Sequence, residues 1–332
     1  MKKHYSFLFL AVASISTLIL FGGCEDVRQV AYQSVFVPEE GGINFVKVTD
    51  ENKEQLIVPN IIRDGNRLFW WANPYFAITS NGSSLAYICS RNDNSNIFVK
   101  NLSTRSGSQQ RTFCGNVQDV AYSPDGQDIC YTRTNGINSS IFLVNATQGS
   151  VVQQVSTPGT KDYGPKFSPD GNLIFFARNE GSDYAIWSHD MNSGTLSYYC
   201  YGLSPAPINN EEFLCMRRNS QNNYEIWRIN YVKGTESIIL SQENRSFTSP
   251  TLSPDGKWIL CAANTPADNN GMENIDIYVV RTDGSQLTQL TYHKGNDLSP
   301  VWAPDGKSIY FLSQRGSEEG EFNIWKMNFN LR

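Results

Sequence analysis

Five arginines recur at one place in a repeating pattern: Arg91, Arg133, Arg178, Arg217 and Arg315 each fall at or just past the end of the second β-prone run of their repeat. A guanidinium presents a planar fork of N–H donors that fits a carboxylate, so a ring of them is acceptor-binding chemistry. Asp162 and Asp297 each stand six residues before the Ser or Ala that opens a turn. If the loops that leave the second strand and those that enter the first emerge together, one face carries the arginines near these carboxylates. Two uses follow. The guanidinium groups can tie neighbouring strands locally, or they can receive a carboxylate-bearing partner or glycan.

Proton-transfer and nucleophilic chemistry is poorly supplied. Past the N-terminus the chain has His189 and His293 alone, neither inside a motif, and His293 lies in a loop that enters the last repeat. No spacing of carboxylates singles out a pair for glycosidic work. No catalytic residue is assigned and a non-enzymatic protein is expected; the alternative is a carbohydrate-active enzyme with carboxylates at a channel mouth. There is no CxxC pair, so neither a Cys/His metal site nor a cofactor is implied. Cys89, Cys130, Cys215 and Cys261 sit in apolar runs and read as small core residues. Cys114 and Cys200 leave disulfide formation open.

The elements that would position these residues are set by a repeat of about 45 residues. Ser123-Pro124-Asp125-Gly126, Ser168-Pro169-Asp170-Gly171, Ser253-Pro254-Asp255-Gly256 and Ala303-Pro304-Asp305-Gly306 recur, with Ser80-Asn81-Gly82 as a weaker copy. Pro presets φ at the second position and Gly closes the turn at the fourth. Apolar runs such as Leu173-Ile174-Phe175-Phe176 follow, so each copy reads as a hairpin. Downstream an Ile precedes an aromatic six times, at Ile97, Ile141, Ile186, Ile226, Ile277 and Ile324. The step from turn glycine to Ile is 15 residues for Gly82, Gly126 and Gly171, and the same step back from Ile226 lands on Glu211. Asn209-Asn210-Glu211 is therefore a decayed turn, and the units number six.

Each of the first five units ends in a further β-prone stretch, such as Leu287-Thr288-Gln289-Leu290-Thr291. Four strands per unit is a propeller blade, giving an all-β fold: a six-bladed β-propeller. The last unit lacks a fourth strand, and Ile43–Val48 or Gln55–Val58 is expected to supply it and close the ring. A seven-bladed ring with an incomplete blade from residues 30 to 65 is the alternative. The step from turn to Ile grows to 21 residues (Gly256 to Ile277) and 18 (Gly306 to Ile324), lengthening loops on the arginine face. Such loops are where repeat proteins place recognition.

The Pro-Asp-Gly turns, the Pro300-Val301-Trp302-Ala303-Pro304-Asp305-Gly306 segment and the Leu287–Thr291 stretch resemble the WD40-like (PD40) repeats of the TolB-type β-propeller, over residues 72 to 332. The resemblance implies an envelope binding role. TolB itself carries an N-terminal α/β domain, and residues 25 to 70 are too few and too β-like to form one. Prolyl-oligopeptidase-type peptidases have similar repeats, but their Gly-x-Ser-x-Gly nucleophile turn is missing here.

Met1-Lys2-Lys3-His4 and the apolar run Phe7 to Phe21 have the form of a secretory signal too short to span a bilayer. The segment Leu20-Phe21-Gly22-Gly23-Cys24 resembles a bacterial lipobox, with Phe21 departing from its usual Leu, Val or Ile. This gives residues 1–23 as signal peptide, Cys24 as the acylated residue, 24–40 as tether and 41–332 as propeller. The alternative is an ordinary signal peptide. Without Lys2 and Lys3, 25 basic face 32 acidic side chains, a formal charge of −7, and there is no Lys/Arg run. That excludes nucleic acid as the partner. The expectation is a monomer held to the bacterial cell envelope, at the outer membrane, by its lipid alone, binding another envelope protein or a cell-wall glycan.

Overall fold

The structure is a computed structural model that describes residues 45–49, 56, 61–64, 67–70, 75–91, 94–104, 107–265, 273–317 and 321–329, with the backbone alone at 61–64, 67–70 and 91. Cys24, the signal segment and the tether lie outside the described residues.

Six four-stranded antiparallel sheets make six blades. Blade 1 runs Phe76–Ile78, Ser84–Arg91, Asn94–Asn101 and Gln109–Gln110, and blade 2 runs Val117–Tyr122, Asp128–Asn135, Asn138–Asn145 and Val151–Gln154. Blade 3 is Asp162–Phe167, Leu173–Asn179, Tyr184–Asp190 and Leu196–Tyr201; blade 4 is Leu203–Pro207, Glu212–Arg218, Tyr224–Asn230 and Thr235–Leu240. Blade 5 is Phe247–Leu252, Trp258–Thr265, Asn274–Arg281 and Thr288–Gln289. Blade 6 supplies Asp297–Trp302, Ser308–Ser313 and Asn323–Asn328, and its fourth strand is Phe45–Lys47 from the other end of the chain. Of the two candidate closing segments the first is therefore used, while Leu56 forms a single bridge to Cys89. The seven-bladed alternative is not realised. Ile61–Asp64 and Arg67–Trp70 pair with each other as a two-stranded hairpin.

The Pro-Asp-Gly turns form as their residue types require. The turn glycine N–H donates to the carbonyl three residues back at Gly126, Gly171, Gly256 and Gly306. These glycines hold φ between +65° and +77°, where a side chain is strained. The turn Asp accepts the Ser hydroxyl at 2.6 Å in blades 2, 3 and 5, and that Ser oxygen accepts the amide five residues on. The turns also pack on one another: Gly171 lies against Pro124, Gly306 against Pro254, and Gly82 against Pro304 across the closing seam.

Each second strand is apolar on both sides because both sides are buried, by different neighbours. In blade 3, Ile174 and Phe176 join Cys130, Ile141 and Leu143 of blade 2, whereas Phe175 and Ala177 join Phe213, Cys215 and Ile229 of blade 4. The six repeat isoleucines all lie in third strands, each at most 1% exposed. In four blades the amide of this Ile donates to a hydroxyl just past the fourth strand: Ile97 to Thr112 at 2.9 Å, Ile141 to Ser156 at 2.8 Å, Ile277 to Thr291 at 2.9 Å and Ile324 to Thr49 at 2.9 Å. Thr49 thus occupies in blade 6 the place that Thr291 holds in blade 5, although 275 residues separate it from Ile324. Thr49 also donates to the Asn323 side chain at 3.0 Å.

Thr49→Ala leaves a buried amide without an acceptor, and chemical denaturation is expected to show a loss of about 1–3 kcal/mol, matched by Thr291→Ala in blade 5.

Candidate functional site

The loops leaving the second strands and those entering the first strands lie on the same face, opposite the Pro-Asp-Gly turns. Four of the five repeated arginine side chains are described there, and each is engaged close to its own blade. Arg178 forms a fork on Asp162, Nε to Oδ1 at 2.7 Å and an Nη to Oδ2 at 3.0 Å, with the carboxylate fully buried. Arg315 donates to Asp297 at 2.8 Å, and their side chains are 7% and 0% exposed. Arg217 grips Glu236 through two donors, at 2.6 and 3.0 Å, and also the Tyr201 carbonyl of blade 3 at 2.9 Å. Arg133 reaches only the Cys114 carbonyl, at 3.3 Å, and is exposed. Arg91 ends the second strand of blade 1, and its side chain lies outside the described residues.

In three blades the aromatic that follows the repeat Ile contributes to the same arrangement. Arg178 lies 4.7 Å from the Trp187 ring centre and Arg217 lies 4.7 Å from that of Trp227. Arg315 is 3.8 Å from Phe45 of the closing strand and 6.0 Å from Trp325. A guanidinium between a carboxylate and a ring face is satisfied on both counts.

His293 stays in the loop entering blade 6, its Nδ1 accepting the Gly295 amide at 3.0 Å and its carbonyl accepting the Asn274 side chain at 2.6 Å. The lengthened loops of blades 5 and 6 lie partly outside the described residues. Among the described residues no group of three or more His, Cys, Asp or Glu side chains could hold a metal ion.

A carboxylate that no motif indicated sits at the seam of blades 5 and 6. Asp276 is 1% exposed and accepts the hydroxyls of Thr265 at 2.6 Å and Thr291 at 3.2 Å and the Gln289 amide at 3.1 Å. Burial first, and the charge of Asp297 second, push it up to about 7. Lys166 was likewise missed. It lines a cavity of about 30 Å³ at the axis, with Phe76, Ser204, Ser249 and Ser299 around it. Burial lowers its pKa, and the Asp119 carboxylate opposes that shift. Aligning the turns would have exposed it, because Ala77, Ala121, Ala206, Thr251 and Val301 hold the equivalent position in the other blades. Around the axis the first strands bulge at a left-handed residue, Asp119, Gly164, Ser204, Ser249 or Ser299. The Asp119 carboxylate accepts the Gly164 amide of the next blade at 2.9 Å.

A six-bladed ring with Pro-Asp-Gly turns and locally clamped arginines defines the class, a TolB-like β-propeller. The model of the TolB beta propeller domain, PD40, matches residues 25–270, and the chain belongs to that family. It is similar to dipeptidyl-peptidase 5 of Porphyromonas gingivalis, 37% identical over 65 residues, covering 20% of this chain and 10% of the relative. It is also similar to the Tol-Pal system protein TolB of Francisella tularensis, 25% identical over 109 residues, covering 33% and 23%. The chain thus spans less than a quarter of either relative's length. Among solved structures it resembles a putative TolB from Agrobacterium tumefaciens, with a TM-score of 0.59, 15% identity and 80% and 94% coverage of the two chains. TolB from Acinetobacter baumannii gives 0.58, 18%, and 86% and 74%. Oligogalacturonate lyase from Vibrio parahaemolyticus gives 0.55, 14%, and 87% and 97%. These likenesses carry the fold, which serves enzymes and non-enzymes alike.

Two outcomes test the electrostatics. Arg178→Met and Arg315→Met each strand a buried carboxylate and are expected to cost about 3–5 kcal/mol in denaturant melts, while Arg133→Met stays within about 0.5 kcal/mol. Asp276 ionises near 7 in the folded chain against 3.8 for an ordinary aspartate in water. Between those pH values the folded state holds the extra proton, so stability falls as pH rises through the window, by up to about 1.4 kcal/mol per unit, and then levels off. Asp276→Asn is expected to remove that slope in melts from pH 4 to 8.

Proposed function

We propose that the chain is a non-enzymatic envelope lipoprotein, exported by residues 1–23, anchored through Cys24, and docking another envelope protein on its loop-bearing face. The observation that carries this reading is a patch on blade 2. Phe113 and Ile137 are each 80% exposed, Phe113 next to Cys114, whose carbonyl accepts from the exposed Arg133, and Ile137 in the hairpin that follows the strand of Arg133. Large apolar side chains held in water next to an arginine are the composition of binding hot spots. Arg178 and Arg315 are committed to buried carboxylates, so Arg133 is the member of the ring best placed to meet a partner's carboxylate. The family membership supports a scaffold role, and the formal charge of −7 past the signal segment opposes a nucleic-acid partner.

Photo-crosslinking residues placed at Phe113 and Ile137 in intact cells are expected to trap one envelope protein, and Arg133→Glu to abolish the adduct without changing the melting temperature. Adducts only from Tyr198 and Tyr201, on the outer wall of blade 3, would overturn the assignment of the face. Cys24→Ser is expected to stop acyl labelling and move the protein from the membrane fraction to the soluble one.

A further inference from the structure

We propose that Cys200 and Cys215 are a reactive thiol pair that closes to a disulfide and staples blade 3 to blade 4. Cys200 lies in the fourth strand of blade 3, opposite Ile186, and Cys215 lies mid-strand in blade 4, opposite Trp227. Both are buried in the one apolar cluster that joins these blades. The chain steps from one blade to the next at Gly202, where a Cβ would come within 3.2 Å of Cys215 Sγ and of the Met216 carbonyl. Glycine there lets the two strands close together.

The surroundings divide the labour between the thiols. The Arg217 guanidinium lies beside them, its Nε donating to the carbonyl of Tyr201, the residue after Cys200, at 2.9 Å. Interaction with Cys215 first, and with Arg217 after it, favours the thiolate at Cys200 against its burial. Interaction with Cys200, followed by burial, holds Cys215 as the thiol. A thiolate beside an arginine is the attacking partner in disulfide exchange. Cys130 and Cys261 are pushed up by full burial, which outweighs the charges of Lys166 and Arg245 near them. The cover over Cys200 is thin: the Arg217–Glu236 ion pair has side chains 18% and 43% exposed, and Tyr201 next to Cys200 is 62% exposed.

The chemistry balances with a low-molecular-weight disulfide as the oxidant. The Cys200 thiolate attacks one sulfur of the donor, whose S–S bond breaks to release a thiolate that takes a proton from water. Cys215 then yields its proton to solvent and attacks Cys200 Sγ, breaking the mixed disulfide and releasing the second thiol. Two electrons pass from the cysteine pair to the donor, which leaves as two thiols.

The inference is independent of the anchor and of any partner. Purified protein is incubated with glutathione disulfide near pH 8 and digested without reduction. A peptide joining Cys200 to Cys215 is expected. Cys215→Ser should halt with glutathione on Cys200, Cys200→Ser should leave Cys215 unmodified, and Arg217→Gln should slow the first step several-fold at pH 7. Circular dichroism melts establish that each variant is folded. Recovery of both cysteines as free thiols while Cys114 carries glutathione, or glutathione on Cys215 in Cys200→Ser at the wild-type rate, would overturn the proposal.

Discussion

Every blade of this protein is a sheet whose inner strands are apolar on both sides, and no blade can bury both sides by itself. Phe175 and Phe176 are adjacent in sequence, are both fully buried, and face different neighbours. Burying a side chain of that size stabilises by about 1.5–3 kcal/mol, and it does so only while the neighbouring blade is in place. The ring must therefore close. It closes where the two ends of the chain meet, with Phe45 packed on Phe311 at 6.2 Å, Phe45 against Arg315, and Thr49 seated on the Ile324 amide. The largest apolar cluster spans this seam, joining blades 5, 6 and 1 with the closing strand.

The charges are subordinate to the same demand. Asp162 and Asp297 are fully buried at the start of their blades, and an arginine from the adjacent strand answers each of them. A buried carboxylate is costly without such a partner. Asp276 shows the other solution: its hydrogen bonds come from Thr265, Thr291 and Gln289, and burial raises it to about 7, so that below neutral pH it holds a proton instead of a counter-ion. The side chains that the ring does not need stay at the surface, Phe113, Ile137 and Arg133 among them.

Local geometry was legible in the sequence because it rests on residues close together in the chain. Pro, Asp and Gly specify their turn within four positions, and in the first four blades the Ile of the third strand stands 15 residues past the turn's last position. Even the degenerate turn at Asn209–Glu211 could be found by counting, and the chain reverses there, with Ile208 donating to the Glu212 carbonyl at 2.9 Å. The closing strand was narrowed to two candidates, since either stretch alternates suitably, and the choice rests on Thr49 meeting Asn323 and Ile324 from the far end of the chain.

What escaped depends on which strands become neighbours. The approach of Cys200 to Cys215 needs the crossing at Gly202, and Glu236 becomes the partner of Arg217 only once the fourth strand of blade 4 is laid down. The first-strand bulges carry Ser-Pro at three positions and Gly-Pro at one, a pattern masked by the stronger turn signal that follows.

Amide hydrogen exchange at the repeat isoleucines tests the closure directly. Ile97, Ile141, Ile277 and Ile324 donate to equivalent hydroxyls, yet only the last depends on residues from the opposite terminus. If the ring is one cooperative unit, Ile324 exchanges through global unfolding with the same free energy as the other three. Exchange at Ile324 orders of magnitude faster than at Ile97, Ile141 and Ile277 would show that the terminal strand peels away and would contradict the account.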